Sequence, residues 1–278
     1  MVSGKKFSIG RVIGYAVSTL IALLSLFPFM WMFFASFKTK NEVLATPLKL
    51  LPKTWNTVNF QTVLQNADNP LFNSMFVTFL VAISAVFLSL LINTMAAYVF
   101  ARMELYFKKF FWFYCILTMY IPGVTILITS FLVVHSLGML DTFAVLLLPG
   151  LAGGYSIFFF RQFFLNLPVS LEEAALIDGC GRFRIYWNIF LPLSSTPMVV
   201  SGAGTFIGYW NSFLWPSITI TDKKLQQVMP IIRSFQTFYG AEYGRIMAAT
   251  CLAVIPPIVL FAFFQKYIVK GIVLSGLK

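Results

Sequence analysis

Six runs of about twenty or more residues carry no Lys, Arg, Asp or Glu: Val12–Ala35, Phe72–Ala101, Phe110–Phe131, Thr142–Phe160, Pro197–Ser217 and Ile246–Phe264. About 20 apolar residues in a helix cross roughly 30 Å of hydrocarbon. The runs are continuous, without the alternation of a barrel strand, and in lipid a helix pairs all its own backbone groups. The pattern therefore predicts an all-α integral membrane protein with about six transmembrane helices. The expected organisation is a tail (1–11), a first span (12–35), an extracytoplasmic loop (36–71), a transmembrane core (72–264) containing a polar loop (161–196), and a second tail (265–278). The first run is too long for a signal-peptide core and lacks a small-residue cleavage site, so it reads as an uncleaved span.

Composition agrees. Of 278 residues, 59% are hydrophobic and 10% charged, and the mean hydropathy is +0.85; a soluble domain carries about 25% charged residues. The net charge of +11 is spread singly, without the basic stripe of a nucleic-acid binder. It reports topology instead. About 12 of the 20 Lys+Arg fall in the tails, near Arg102–Lys109 and in 161–196, which places these segments and both termini on the cytoplasmic side.

Several chemistries lack their residues. There is one histidine, His135, and no G-x-x-x-x-G-K-[ST] sequence, so neither a His-based triad nor a phosphate loop is available. The runs contain no ionisable acid or base of the kind that marks proton- or sodium-coupled carriers. Cys115, Cys180 and Cys251 form no CxxC pair; Cys115 and Cys251 fall in apolar runs and read as small apolar side chains, and Cys180 falls in a loop expected on the reducing, cytoplasmic side.

The polar loop holds the densest local signal, Pro168-Val169-Ser170-Leu171-Glu172-Glu173-Ala174-Ala175-Leu176-Ile177-Asp178-Gly179. Ser170 followed by Glu173 has capping-box spacing, and Gly179 suits the left-handed residue that ends a helix. This predicts a helix of about two turns, with Leu171, Ala174, Ala175 and Asp178 on one side. A second short helix is expected from Arg182 to about Phe190, stopping before Pro192. In the fifth run, Tyr209, Trp210, Asn211 and Trp215 combine aromatic faces with an amide, a set that could line a path through the spans. Interfacial anchoring is the alternative for the tryptophans. Asn93 in the second run bridges helices or joins that path. Gly204 and Gly208, backed by Ser201 and Gly202, read as a close helix-packing stripe.

Glu173-Ala174-Ala175, Gly179 and Ile189-Phe190-Leu191-Pro192 resemble the EAA motif of permease subunits in binding-protein-dependent ABC importers. Ser36-Phe37-Lys38-Thr39, Asn73-Ser74, Ala96-Ala97-Tyr98, Arg161-Gln162-Phe163-Phe164, Trp210–Pro216 and Gln265–Gly271 are similar to the sugar-importing, maltose-type branch, specifically its shorter permease. Ser212 departs from it, since that branch often carries an acid or Asn there. The resemblance implies a type I ABC importer permease fold, with a cytoplasmic coupling helix seated on an ATPase. Leu171, Glu173, Ala174, Ala175, Asp178, Gly179, Ile189, Leu191 and Pro192 would carry that coupling. The implied partners are a second, homologous permease, two ATPase subunits that bind ATP and Mg, and an extracytoplasmic sugar-binding protein. The chain itself would hold no cofactor, metal or catalytic group and would sit in a bacterial cytoplasmic membrane. An importer of another solute, a nucleotide-independent channel or scaffold, and a proton-coupled carrier are the alternatives.

Overall fold

The structure is a computed structural model that describes residues 9–65, 70–237 and 240–276. The basic tail with Lys5 and Lys6, and Lys278, lie outside these residues. Helices α1 (Ile9–Ala35), α2 (Lys40–Val43), α3 (Val58–Gln65), α4 (Leu71–Arg102) and α5 (Lys108–Leu117) come first. They are followed by α6 (Leu127–Ser136), α7 (Phe143–Leu147), α8 (Gly154–Leu165), α9 (Val169–Ile177) and α10 (Arg182–Ile185). Then come α11 (Leu191–Leu193), α12 (Ser195–Trp210), α13 (Leu214–Thr219), α14 (Val228–Ser234), α15 (Tyr243–Ala253) and α16 (Ile255–Gly276). Among the described residues the strand pairing is a two-residue antiparallel one, Gln236 with Ala241 and Thr237 with Gly240.

Among the described residues, three stretches are long and apolar enough to cross a membrane as single helices: Gly10–Ala35, Leu71–Arg102 and Tyr243–Tyr267. Two more are bent pairs, Phe143–Gly150 with Gly154–Leu165 at 48° and Arg182–Leu193 with Ser195–Trp210 at 79°. The apolar runs are thus helical but less continuous than their composition suggests. The run Phe110–Phe131 divides after a 3-10 turn at Thr118–Tyr120, where Ile121 is extended (φ −89°, ψ 114°). Pro122 accounts for this, because it lacks an N–H and disfavours helical geometry in the residue before it. The fifth run breaks between Trp210 and Leu214.

The chain forms two compact units. Residues 1–71 and 232–254 make the first. There, the side-chain amide of Asn59 donates to the carbonyls of Ser36 (2.8 Å) and Lys38 (2.9 Å). Lys38 is fully buried; its ammonium bonds the Lys49 carbonyl and lies 4.4 Å from the Trp31 ring centroid. Burial pushes the Lys38 pKa down, against a smaller upward pull from Glu42. The Ser36–Thr39 motif is thus a folded corner. Gly244 closes it, since a Cβ there would meet Asn59 Nδ2 at 2.5 Å and the Lys38 carbonyl at 2.7 Å. Gly244→Ala should therefore cost about 1–3 kcal/mol by overpacking and lower the melting temperature in a detergent thermal-shift assay. An unchanged melting temperature would contradict this contact.

Residues 72–231 and 255–278 make the second unit. Its spine is α4, 32 residues or about 48 Å at 1.5 Å per residue. Val77, Val81 and Ala85 face α7 residues Val145, Leu146 and Leu147 toward one end. Toward the other, Ala97 and Tyr98 pack with Phe160, Phe164, Ile185, Tyr186 and Phe190. A Cβ at Gly202 would touch Val86 and Leu90 at 3.3–3.4 Å, whereas Gly204 and Gly208 meet nothing within 4 Å. The close-packing glycine is therefore Gly202, the backing residue of the expected stripe, while Gly204 and Gly208 meet no neighbour among the described residues.

Candidate functional site: a coupling loop and a hydroxyl-lined cavity

The loop helix α9 starts earlier than its capping-box spacing suggests. Pro168 occupies the N-cap position (φ −58°, ψ 131°), with no side-chain cap bond. Its ring is preset for entry into a helix, so Val169 begins α9 and Ser170 falls inside the first turn. The Ser170–Glu173 box is not formed, and Glu173 is exposed. Of the two adjacent glutamates it is Glu172 that turns inward, at 5% exposure. One Glu172 oxygen lies 3.8 Å from Arg102 Nε, and the other bonds Arg182 Nη1.

Ala175, one turn further on, packs into the aromatic cluster around Tyr98 and Phe164. This separates it from Leu171, Ala174 and Asp178, which are exposed. The outer face is unexpectedly apolar: Leu171 is 41% exposed, Ile177 86% and Phe183 65%.

The helix end matches expectation. Gly179 has φ +74°, Cys180 N donates to Ala175 O (2.9 Å) and Gly179 N to Leu176 O (3.0 Å). These are the paired bonds of a Schellman turn.

The second short helix does not stop before Pro192. It passes from α10 through a π-helical turn, Tyr186–Phe190, into α11. Pro192 sits in the first turn of α11, where its missing N–H is not needed. Ile189 and Leu191 are partly buried against the aromatic cluster, and Pro192 is exposed. The Tyr186 hydroxyl meets Thr94 Oγ1 at 2.9 Å, which ties this segment to α4.

A second feature is a cavity of about 410 Å³, lined among others by Ser89, Ser130, Ser156, Thr205, Tyr209, Ser212 and Trp215. The Tyr209 hydroxyl donates to Leu147 O (3.2 Å) and the Trp215 indole to Val145 O (2.8 Å), which orients both rings. Gly150 leaves room for Tyr209, whose hydroxyl would collide with a Cβ there.

Asn93 does not line the cavity. It is buried and bridges helices: its amide donates to Ser89 and to Leu151 O (2.9 Å), and its Oδ1 accepts from Gly153 N (3.0 Å). It therefore supplies partners to the break between α7 and α8. Trp210 is 2% exposed and stacks on Phe206 at 5.6 Å, and Asn211 is exposed at the end of α12; neither lines the cavity. Pattern reasoning missed the hydroxyl lining, because single serines in separate runs become a set only when the helices pack.

A loop clip closes the same unit. The Asp141 carboxylate accepts from Thr221 N (2.5 Å), Thr221 Oγ1 (2.6 Å) and Asp222 N (2.8 Å). These bonds hold its pKa below the ordinary carboxylate value, the Thr221 hydroxyl contributing most. A depressed folded pKa stabilises above the unfolded value and is lost as pH falls through the folded one. Wild-type thermal stability should therefore drop on acidification below about pH 4 by more than that of Asp141→Asn. Equal acid sensitivity of the two proteins would contradict the clip.

Residues 93–273 match the family described as binding-protein-dependent transport system inner membrane component. The chain belongs to this family. It is 32% identical over 276 residues to the sn-glycerol-3-phosphate transport system permease protein UgpE of Agrobacterium fabrum, covering 95% of this chain and 96% of the relative. It is 29% identical over 271 residues to the arabinooligosaccharides transport system permease protein AraQ of Halalkalibacterium halodurans, covering 96% and 95%. A crystal structure of a bacterial ABC transporter involved in the import of the acidic polysaccharide alginate has a chain that superposes with a TM-score of 0.79 at 21% identity, covering 95% of this chain and 99% of its own length. That likeness shows a shared fold. As a family member the chain is a multi-pass transport component.

Proposed function

We propose that this chain is one of two permease subunits of an ATP-driven importer for a neutral sugar, an oligosaccharide handed over by an extracytoplasmic binding protein. The carrying observation is the built but uncovered α9: seated on the aromatic cluster by Ala175, held to Arg102 and Arg182 by Glu172, and turning Leu171 and Ile177 outward. A soluble ATPase subunit has an apolar surface to grip there, with Glu173 and Asp178 exposed beside it. Two such subunits would bind ATP and Mg, and this chain would supply wall and lever without a catalytic group. Residues 72–264 would be the transmembrane core, 161–196 would face the cytoplasm with both termini, and 36–71 would lie outside. ATP drives the cycle only if the ATPase binds one conformation better than the other; moving an equilibrium from 1:99 to 99:1 takes about 5.5 kcal/mol of differential binding.

The cavity supports a neutral solute. Hydroxyls and two oriented aromatic rings line it, and no Lys or Arg is among the lining residues. A phosphorylated polyol is the second reading, favoured by the likeness to UgpE and by the starts of α6 and α8 at Leu127 and Gly153 that border the cavity; the lining lacks the Arg or Lys on which phosphate recognition usually also draws. The test is a thermal-shift screen of the cognate binding protein against neutral oligosaccharides, monosaccharides and glycerol 3-phosphate, with the hit taken into uptake assays. A neutral saccharide as the transported hit is expected; selective uptake of glycerol 3-phosphate would replace the first reading by the second.

A further inference from the structure

The exposed side of α9 explains how a partner could hold this loop, but not how its movement would reach the spans. A push on α9 alone need not move α4, since Ala175 and the aromatic cluster offer a greasy, non-directional contact. The directional link is the charge cluster under α9. Arg102, the last residue of α4, sends Nη2 to the carbonyls of Phe164 (2.7 Å) and Leu167 (2.6 Å). Those carbonyls lie in the last turn of α8 and just beyond it. The Arg102 guanidinium also lies 5.4 Å from the Phe190 ring centroid. Its Nε has no hydrogen-bond partner and faces Glu172 across 3.8 Å. Arg182, at the start of α10, takes the other Glu172 oxygen. One buried carboxylate thus joins the end of α4, the end of α8, α9 and the start of α10. The side chains of Arg102 and Glu172 are 8% and 6% exposed, and that of Arg182 45%.

We propose that Glu172, clamped between Arg102 and Arg182, is the positioning residue that makes α9 and the end of α4 move as one body. This rests on the coupling function proposed above. Glu172 does not touch the ATPase; it acts through Arg102. A buried carboxylate between two guanidiniums resists sliding, because any displacement leaves charge unpaired in a poorly solvated place. Such a joint passes force in both directions, as coupling between two sites must.

The test uses the full complex of both permeases, ATPase subunits and binding protein in proteoliposomes, measuring solute imported per ATP hydrolysed. Glu172→Gln keeps the shape and one acceptor oxygen, replaces the other oxygen by an NH2 donor, and removes the charge. Its complex should assemble and hydrolyse ATP, with the import-to-ATP ratio lowered roughly tenfold, within the range couplings span. Glu172→Asp, which retains the charge, should recover part of that ratio. Arg182→Ala should have the smaller effect, since Arg182 is the more exposed partner. A merely structural role would lower hydrolysis and import together, with a lower melting temperature and an unchanged ratio; that result overturns the proposal, as does a normal ratio in Glu172→Gln. If the wild-type complex neither recruits an ATPase nor imports, the underlying functional reading fails instead, so the two failures are distinguishable.

Discussion

Gly179→Val should abolish most transport while leaving the cavity intact. Gly179 holds φ +74° in the Schellman turn, and a left-handed conformation costs a non-glycine residue roughly 1–2 kcal/mol, more for a β-branched one. A Cβ at Gly179 would meet nothing within 4 Å, so the penalty is conformational and not a clash. The chain escapes it by leaving the turn, which re-aims everything from Cys180 to the π-helical segment and pulls Arg182 away from Glu172. Uptake should fall at least about tenfold, the factor that each 1.4 kcal/mol represents. Gly179→Asn should retain more activity than Gly179→Val, because Asn tolerates the left-handed region. Equal loss in both, measured in the reconstituted complex, would point to a steric or docking role for Gly179.

Ile177→Asp should release the ATPase subunits. Ile177 is 86% exposed at the last turn of α9, so an aspartate there disturbs no packing within the chain. At a docked interface it would bury an unpaired charge next to Asp178. Central contacts of this kind cost about 2 kcal/mol or more when lost, about 30-fold in affinity. Co-purification of the ATPase should fail, while the permease keeps its wild-type melting temperature. Glu173→Ala, at the exposed neighbour, should weaken docking less and leave α9 intact, because Glu173 caps nothing. Retention of the ATPase by Ile177→Asp would place the docking surface elsewhere.

The uneven legibility of this protein in its sequence has physical reasons. The run Phe72–Ala101 became α4 because it holds no Pro or Gly to compete with helix, and Val12–Ala35 stays helical as α1 through Pro28. The run Phe110–Phe131 misled because composition weighs Pro122 as one residue among many, whereas in the backbone it ends a helix. The loop helix was visible in outline, with Gly179 at its end. The adjacent Glu172 and Glu173 were not separable, since the capping-box spacing favoured Glu173 and only Arg102, 70 positions away in sequence, decides that Glu172 is the buried one. Gly204 and Gly208 meet no neighbour among the described residues, whereas Gly202, expected only as their support, makes the contact. Cavity hydroxyls such as Ser89 and Ser156 were invisible for the same reason: their meaning is tertiary.

The most direct measurement is uptake of the binding protein's neutral saccharide by proteoliposomes containing this permease, its partner permease and the ATPase subunits. Uptake should require both ATP and the loaded binding protein and should be lost in Ile177→Asp together with the ATPase. Uptake that persists without ATP, or that survives loss of the ATPase, would contradict the account.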